Sequence, residues 1–542
     1  MRSVLILFLI MPFWGVAQHF TKQDTLRGSD TAFRNFWDVK KYELTVEPDA
    51  VTKSVKGHNK IFFEITKDVE NPTFQIDLRQ PMAYHNFKAK FKYTEVKRDG
   101  DFIFIKTKQH FRKGQYLSME MDYDGCPQIA ENTPWDGGWV FAKDGKGRPW
   151  MSVAQEDKGL SLWLPCKDIW RDEPENGITM TVITPKDMVG IGNGRLISTK
   201  SLGNKKHYKW RVINPINDYS IVPSVGYYAH FSDVFNGEKG KLNLDYWVLD
   251  YNLEKARKQF KQVNSMLEAF EYWFGAYPFY EDSYKVVDEP YLGMEHQSNI
   301  AYGNGYQNGY AGKDWSDSGV GLKWDFIIVH ESGHEWFANN ITAKDRADMW
   351  IHESFTCYSE TLFTQYVFGK AEAEKYIIGI RKNIQNDKPI IGHYGVDNEG
   401  SGDMYWKGAS MVHTIRTVIN DDNKFRTILR GLNKTFYHKT VTSDEVESYI
   451  NEHSGIDFST VFRQYLTTTK VPILEYQQNS NVLRYRWRDV VKGFDLPLRI
   501  NDGAEVIIPA EQWQETTLKS STPVNFDINY YVHYQKLDSI LR

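Results

Sequence analysis

Between Phe326 and Phe355 the chain reads FIIVHESGHEWFANNITAKDRADMWIHESF, and no other stretch limits the fold so tightly. His330-Glu331-Ser332-Gly333-His334 is an H-E-x-x-H motif entered from an apolar run, Phe326-Ile327-Ile328-Val329. On an α-helix, positions i and i+4 share one face, so both imidazoles can reach a single metal ion. Glu331 follows the first histidine and stands beside the metal without being needed as a ligand, which suits a general base acting on water. Eighteen residues separate His334 from Glu353, which sits in Trp350-Ile351-His352-Glu353-Ser354-Phe355. A carboxylate from a second helix completes a His₂Glu set for one zinc ion and leaves one position open. Two histidines on one helix face are also ordinary core residues. The further pieces arranged around the motif weigh against that reading.

A chain of 542 residues exceeds one hydrophobic core and implies several domains. Its 41% hydrophobic and 25% charged residues are those of a soluble globular protein. A net charge of −4 favours neither nucleic acid nor an anionic membrane as partner. The N-terminus reads as a secretory signal peptide over residues 1–17. Met1-Arg2 is its positive start, Val4 to Val16 an apolar segment, and Gly15-Val16-Ala17 the small residues before cleavage. An exported protein without an integral membrane segment after cleavage is expected, in the periplasm, at the cell surface or in the medium, with an uncleaved anchor as the alternative. Cys126, Cys166 and Cys357 are too few for a disulfide scaffold and lack CxxC spacing; a Cys126–Cys166 bridge is left open.

From Asp38 to Val248 short alternating or apolar runs, such as Tyr42–Val46, Lys60–Ile65 and Leu242–Val248, are punctuated by turn residues and predict antiparallel strands. Near Asp250 the period changes. Phe260, Val263, Met266, Leu267, Phe270 and Trp273 predict a helix over Asn252–Phe274, ended by Gly275 and Pro278. Helices are expected from Asp325 to Leu466, including Trp406–Ile419. Strands return after Val471, at Val482–Trp487 and Val506–Ile508. Many Trp and Tyr residues fall in Gly/Asn-rich loops, where they line clefts or pack as rigid surface.

Three more pieces surround the motif. Leu292-Gly293-Met294-Glu295-His296 precedes it, Tyr405-Trp406-Lys407-Gly408-Ala409 follows Glu353, and Gln155-Glu156 opens a segment closed by Trp163-Leu164-Pro165-Cys166-Lys167-Asp168. In this order around H-E-x-x-H and Glu353 they resemble the gluzincin zinc aminopeptidases, the family of aminopeptidase N and leukotriene hydrolase. The likeness runs from Tyr42 to Phe462 and takes in Tyr272–Phe279 ahead of the Gly-Met-Glu motif. It implies His330, His334 and Glu353 as ligands of one Zn²⁺ per chain. Glu331 would be the base, and Tyr405 the hydrogen-bond donor to the tetrahedral oxyanion. Glu295 would hold the substrate's free α-ammonium, Gly293 and Met294 would shape the adjoining edge, and Glu156 would also contact the amine.

The chain departs from the family pattern at several places. His296 and His352 stand where Asn is usual, and Glu335 stands in place of Gln. Glu335 either tunes ligand basicity from beside the zinc helix or is solvated, and solvation is the favoured expectation. Glu360, two turns after Glu353, either orients a ligand histidine or is a surface charge. His393 and Asp397 are loop charges that either reach the cleft or lie exposed. A short form without the family's large helical C-terminal domain is expected, and with it a more open cleft.

The expectation is a multidomain α+β chain. A β-rich N-terminal saddle domain spans 18–249, a thermolysin-like zinc catalytic domain 250–469, and a small C-terminal β-sandwich 470–542. The resemblance implies removal of N-terminal amino acids from peptides by metal-activated water. Three rivals remain: a leukotriene-type lipid epoxide hydrolase, which needs a long apolar tunnel; a zinc endopeptidase, which Glu295 speaks against; and a catalytically inactive peptide-binding module, which the full set of five residues speaks against. Oligomeric state and preferred side chain are not legible.

Overall fold

Trp37–Asp49 shows how period-two patterning builds the first half of the molecule. Trp37 and Val39 point inward, then Tyr42, Leu44 and Val46 do. The switch of phase falls where the register with Ser54–Ile65 slips at Lys40, an extra residue accommodated as a bulge. This pair lies at the centre of a seven-stranded sheet. Its order is Arg195–Leu202, Lys205–Val212, Ile178–Pro185, Trp37–Asp49, Ser54–Ile65, Tyr116–Gly125 and Ala83–Ala89, with only Trp37–Asp49 and Ile178–Pro185 parallel. A smaller four-stranded sheet contains Pro149–Ala154, which runs directly into Gln155-Glu156. The structure is a computed structural model that describes residues 19–537. The expected signal peptide, 1–17, lies outside the described residues.

Strands β1 (Tyr228–Gly237) and β2 (Gly240–Leu249) do not join the N-terminal sheets. They hydrogen-bond with β3 (Tyr284–Asp288), β4 (Gly293–Met294) and β5 (Ile300–Tyr302) in the order β1-β2-β3-β5-β4. This sheet therefore crosses the boundary expected at residue 249. Alternation in Leu242–Val248 identifies a strand but carries no information on which sheet it joins. β1 and β4 are its two edges, and β4 is the one beside the site.

The helix expected over Asn252–Phe274 is two helices, Leu253–Gln259 and α1 (Gln262–Phe274). At the break Phe260 turns in among the rings of Tyr246 and Tyr302, 5.2 and 5.0 Å away. Gly275 caps α1 at φ 97°, a conformation suited to glycine. The remaining helices that matter for the site are α2 (Phe326–Gly333), α3 (Trp350–Phe368), α4 (Lys370–Ile380) and α5 (Trp406–Ile419). α3 is the hub, buried from Trp350 to Thr364 between α1, α2, α4 and α5.

The C-terminal stretch forms a four-stranded sheet, Gln514–Thr517, Val482–Arg488, Ile473–Asn479 and His533–Lys536, and a ribbon of Leu498–Ile500 with Glu505–Ile507. Its inward residues Leu474, Leu483, Trp487 and Leu498 share one apolar core with the catalytic helices. Arg381 ties it down by donating to the carbonyls of Ile528, Asn529 and Tyr530. All three cysteines are free thiols, so Cys126 and Cys166 are not bridged. Among the described residues no helix is long and apolar enough to cross a membrane.

Candidate active site

α2 begins at Asp325, whose side chain accepts from the backbone N–H groups of Ile327 and Ile328 and caps two free donors. One turn apart on this helix, His330 and His334 set their rings edge to face at 5.0 Å. The helix then stops. Glu335–Asn339 makes a wide π-type turn with Phe337 and Ala338 out of helical geometry, Ala338 at φ 138°. A non-glycine residue there is strained by about 1–3 kcal/mol. The distortion brings the Phe337 carbonyl to 3.0 Å from His334 Nδ1, which donates to it and leaves Nε2 free.

Glu353, in the first turn of α3, meets both rings. Its Oε2 lies 3.6 Å from His330 Nε2 and 3.5 Å from His334 Nε2. That oxygen is buried and has no hydrogen-bond partner. Burial tends to raise the Glu353 pKa, but the two imidazoles outweigh it and hold it below the usual carboxylate range. Two imidazole nitrogens and an unpartnered carboxylate oxygen converging in a buried site fit a divalent cation and leave Oε2 unsatisfied without one.

Glu360 settles one open reading. Seven residues after Glu353 it lies on the same helix face, and its Oε1 accepts from His330 Nδ1 at 2.7 Å. Its Oε2 accepts from Tyr376 on α4 at 2.6 Å. The pair fixes the tautomer of His330 and aims Nε2 at Glu353. Glu360→Gln is expected to weaken metal affinity about 10–100-fold, read by competition with a coloured chelator. An unchanged affinity would reduce Glu360 to a packing residue.

Glu331 faces the same cavity from α2. A Cβ built on Gly293 would sit 2.4 Å from Glu331 Oε1, so the carboxylate occupies the space that a side chain on β4 would need. Burial foremost, against the pull of His330 and with the push of Glu295 and Glu353, raises Glu331 to about 8. Glu295 follows β4, with its carbonyl accepting from Asn339 Nδ2 at 2.8 Å and its buried Oε1 unpartnered. Carboxylate oxygens of Glu156, Glu295 and Glu353 all lie within 4.8 Å of one another. Burial, then Glu295 and Glu353, push Glu156 well above the usual range. Tyr405 stands at the N-terminus of α5 with its ring 6.0 Å from that of His330.

The structure thus brings all nine expected residues to one cavity of about 520 Å³. It also corrects one expectation. Glu335 is not solvated: it is fully buried, its Oε1 accepts from Ser298 N at 2.8 Å, and burial raises it to about 8. His296 and His352 are buried and neutral, each lowered to about 3 by burial. His352 stacks on Trp170 at 5.1 Å and accepts from Ala343 N. His393 is exposed, and Asp397 lies outside the cavity wall, 3.9 Å from Arg346. Unanticipated wall residues are Arg346, Asp157, Glu399, Tyr310, Trp315 and Trp135. The three aromatics carried a signal in their Gly/Asn-rich loops; the charged three carried none.

A family model described as the peptidase family M1 domain matches residues 251–465. The leucyl aminopeptidase of Saccharolobus solfataricus is 22% identical over 452 residues, 80% of this chain and 54% of that protein. The probable aminopeptidase 1 of Sulfurisphaera tokodaii is 21% identical, over 67% of this chain and 47% of that protein. Leukotriene A-4 hydrolase of Xenopus laevis is 23% identical, over 62% and 55%. The chain spans about half the length of the curated relatives it matches. Among solved structures, a two-domain M1 zinc metallopeptidase mutant bound to L-tryptophan superposes with a TM-score of 0.69 at 18% identity, over 82% of this chain and 97% of that one. An M1 zinc metallopeptidase mutant of Deinococcus radiodurans bound to a Tyr-Ser-Ala substrate gives 0.67 at 17%, over 82% and 96%. At these identities the structural likeness establishes the fold.

Proposed function

We propose, from the premise that residues 251–465 are a peptidase family M1 domain, that this chain is a zinc-dependent aminopeptidase that hydrolyses N-terminal amino acids from peptides. The observation that carries the reading is the pair of amine-seeking carboxylates, Glu295 and Glu156, each with a buried unpartnered oxygen and both within reach of the His330–His334–Glu353 set. A free α-ammonium satisfies them; an internal amide brings no charge to do so.

His330, His334 and Glu353 would hold one Zn²⁺, which when bound polarises the scissile carbonyl and lowers the pKa of water. The chain's own groups do the rest. Glu295 and Glu156 fix the α-ammonium and so place the first peptide bond at the ligand set. The free edge of β4, Gly293–Met294, offers backbone hydrogen bonds to an extended substrate. A Glu331 carboxylate oxygen takes a proton from the attacking water and passes it to the departing amine nitrogen. The Tyr405 hydroxyl donates to the carbonyl oxygen as charge gathers there.

Hydrolysis of aminoacyl arylamides is expected to be lost to a chelator and restored by zinc, while N-acetylated peptides resist cleavage. Equal rates on blocked and free substrates would sink the exopeptidase reading. Export through cleavage of residues 1–17 belongs to the same proposal, supported by the charged start, apolar run and small residues at 15–17. Mass spectrometry of the mature chain is then expected to find Gln18 at its N-terminus, and retention of Met1 in the processed protein would refute it.

A further inference from the structure

The buried Oε1 of Glu156 has no bonding partner, so the backbone on either side helps to set its carboxylate. On one side Gln155 is anchored in the N-terminal region. Its Nε2 donates to the carbonyls of Tyr219 and Ile221, and its Oε1 accepts from Trp163 Nε1 at 2.7 Å. On the other side Asp157 is held across the cavity wall by Arg346. Arg346 Nη1 donates to the Asp157 carbonyl at 3.1 Å and Nη2 to Asp157 Oδ1 at 2.7 Å. Nη2 also donates to Glu399 Oε2 at 2.5 Å.

Arg346 is only 7% exposed and sits seven residues before Glu353, on the segment that enters α3. Its fork is therefore fixed to the short turn, Arg346–Asp348, that leads into the helix carrying Glu353. Asp157 is 32% exposed, and its other partner, Lys158, is its own chain neighbour. The Arg346 link is thus what joins this turn to the catalytic helices. Glu399 belongs to the loop leading to Tyr405, yet Tyr405 does not depend on it. The residues before Tyr405 have their own anchors: Asp403 accepts from Gln385 N and Asn386 N, and Ser354 Oγ donates to the Met404 carbonyl at 2.7 Å.

We propose that Arg346 is a positioning residue that acts through Asp157 to set Glu156 for the substrate's α-ammonium, making recognition of the free N-terminus depend on the docking of the N-terminal sheets against the catalytic helices. This rests on the aminopeptidase reading above. Because Tyr405 and the ligand set are anchored separately, loss of the clamp weakens amine binding and spares the chemical step.

The test is a double-mutant cycle on an unblocked peptide. Arg346→Gln and Glu156→Gln are each expected to raise KM about ten-fold or more, with kcat within about three-fold and zinc content unchanged. The double variant is expected to be no worse than the poorer single one. Additive KM effects, or a loss confined to kcat, overturn the proposal. Should the buried Arg346 prove necessary for folding, Asp157→Ala cuts the same link from the cavity rim and must reproduce the KM rise; an unchanged KM overturns it. Hydrogen exchange gives a readout independent of turnover. The amides of 155–159 are expected to exchange faster in Asp157→Ala than in the wild type, and equal exchange overturns the clamp. A wild-type chain inert toward every unblocked peptide would instead refute the aminopeptidase reading, leaving the exchange result to judge Arg346.

Discussion

Glu331→Gln is expected to keep its zinc and to lose about 10²- to 10⁴-fold in kcat. The substitution exchanges one oxygen for an amide nitrogen of nearly the same shape, so the packing of α2 and the aim of His330 and His334 are undisturbed. What disappears is a proton acceptor. Burial and the carboxylates of Glu295 and Glu353 raise the Glu331 pKa to about 8 against the pull of His330, and a bound dication would draw it back toward neutrality, where the carboxylate is ionised and free to accept. A carboxylate near neutrality can take a proton from water and still return it to an amine. Gly293 leaves the room for it: with any side chain on that strand residue, Glu331 Oε1 would have to move. The measurement is kcat on an unblocked peptide together with zinc per chain by atomic absorption. Turnover within about ten-fold of the wild type at full zinc occupancy would remove Glu331 from the proton path.

The parts of this site that are legible in the sequence are those whose geometry is local to one helix. His330 and His334 at i and i+4, and Glu353 with Glu360 two turns later, declare their shared faces by spacing alone. Glu353 enters as a third ligand by residue type and then by the resemblance, since spacing alone does not say how two helices cross. The crossing itself depends on small contacts. A Cβ on Gly408 would fall 1.9 Å from Ser354 Oγ, so α5 can approach α3 only where glycine stands. Glu335 was misread because its charge suggests solvent, whereas its neighbour in space, Ser298, comes from a loop 37 residues earlier. Arg346 was invisible for the same reason: its partners Asp157 and Glu399 lie 189 and 53 residues away. In the fold, strand character at Leu242–Val248 was plain. Membership of the catalytic sheet was decided by long-range pairing with Tyr284–Asp288, which alternation does not encode.

Tyr405→Phe is expected to lower kcat by about 10²- to 10³-fold while leaving KM nearly unchanged. The hydroxyl is a donor throughout the neutral range, because burial first, then Glu353, Glu156 and Glu295, push its pKa well above the ordinary tyrosine value. A neutral donor bonds weakly to a ground-state carbonyl and more strongly to the same oxygen as negative charge develops, so its loss falls on the transition state. The substitution removes one oxygen and keeps the ring packed at 6.0 Å from that of His330. The Ser354 bond to the Met404 carbonyl and the seating of Gly408 against Ser354 are untouched, so α5 stays in register with the ligand helix. The discriminating quantity is the split between the two constants. A fall in kcat at constant KM assigns Tyr405 to the oxyanion, whereas a rise in KM at constant kcat would make it a contact to bound substrate. Both Tyr405→Phe and Glu331→Gln should retain zinc and bind free-amine substrates nearly normally, since each keeps the shape of its side chain beside Glu295 and the ligand set. A KM effect in either would mean that the group removed also contacts the bound amine, and the approach of Glu331 to Glu295 within 4.8 Å makes Glu331→Gln the more sensitive test of that.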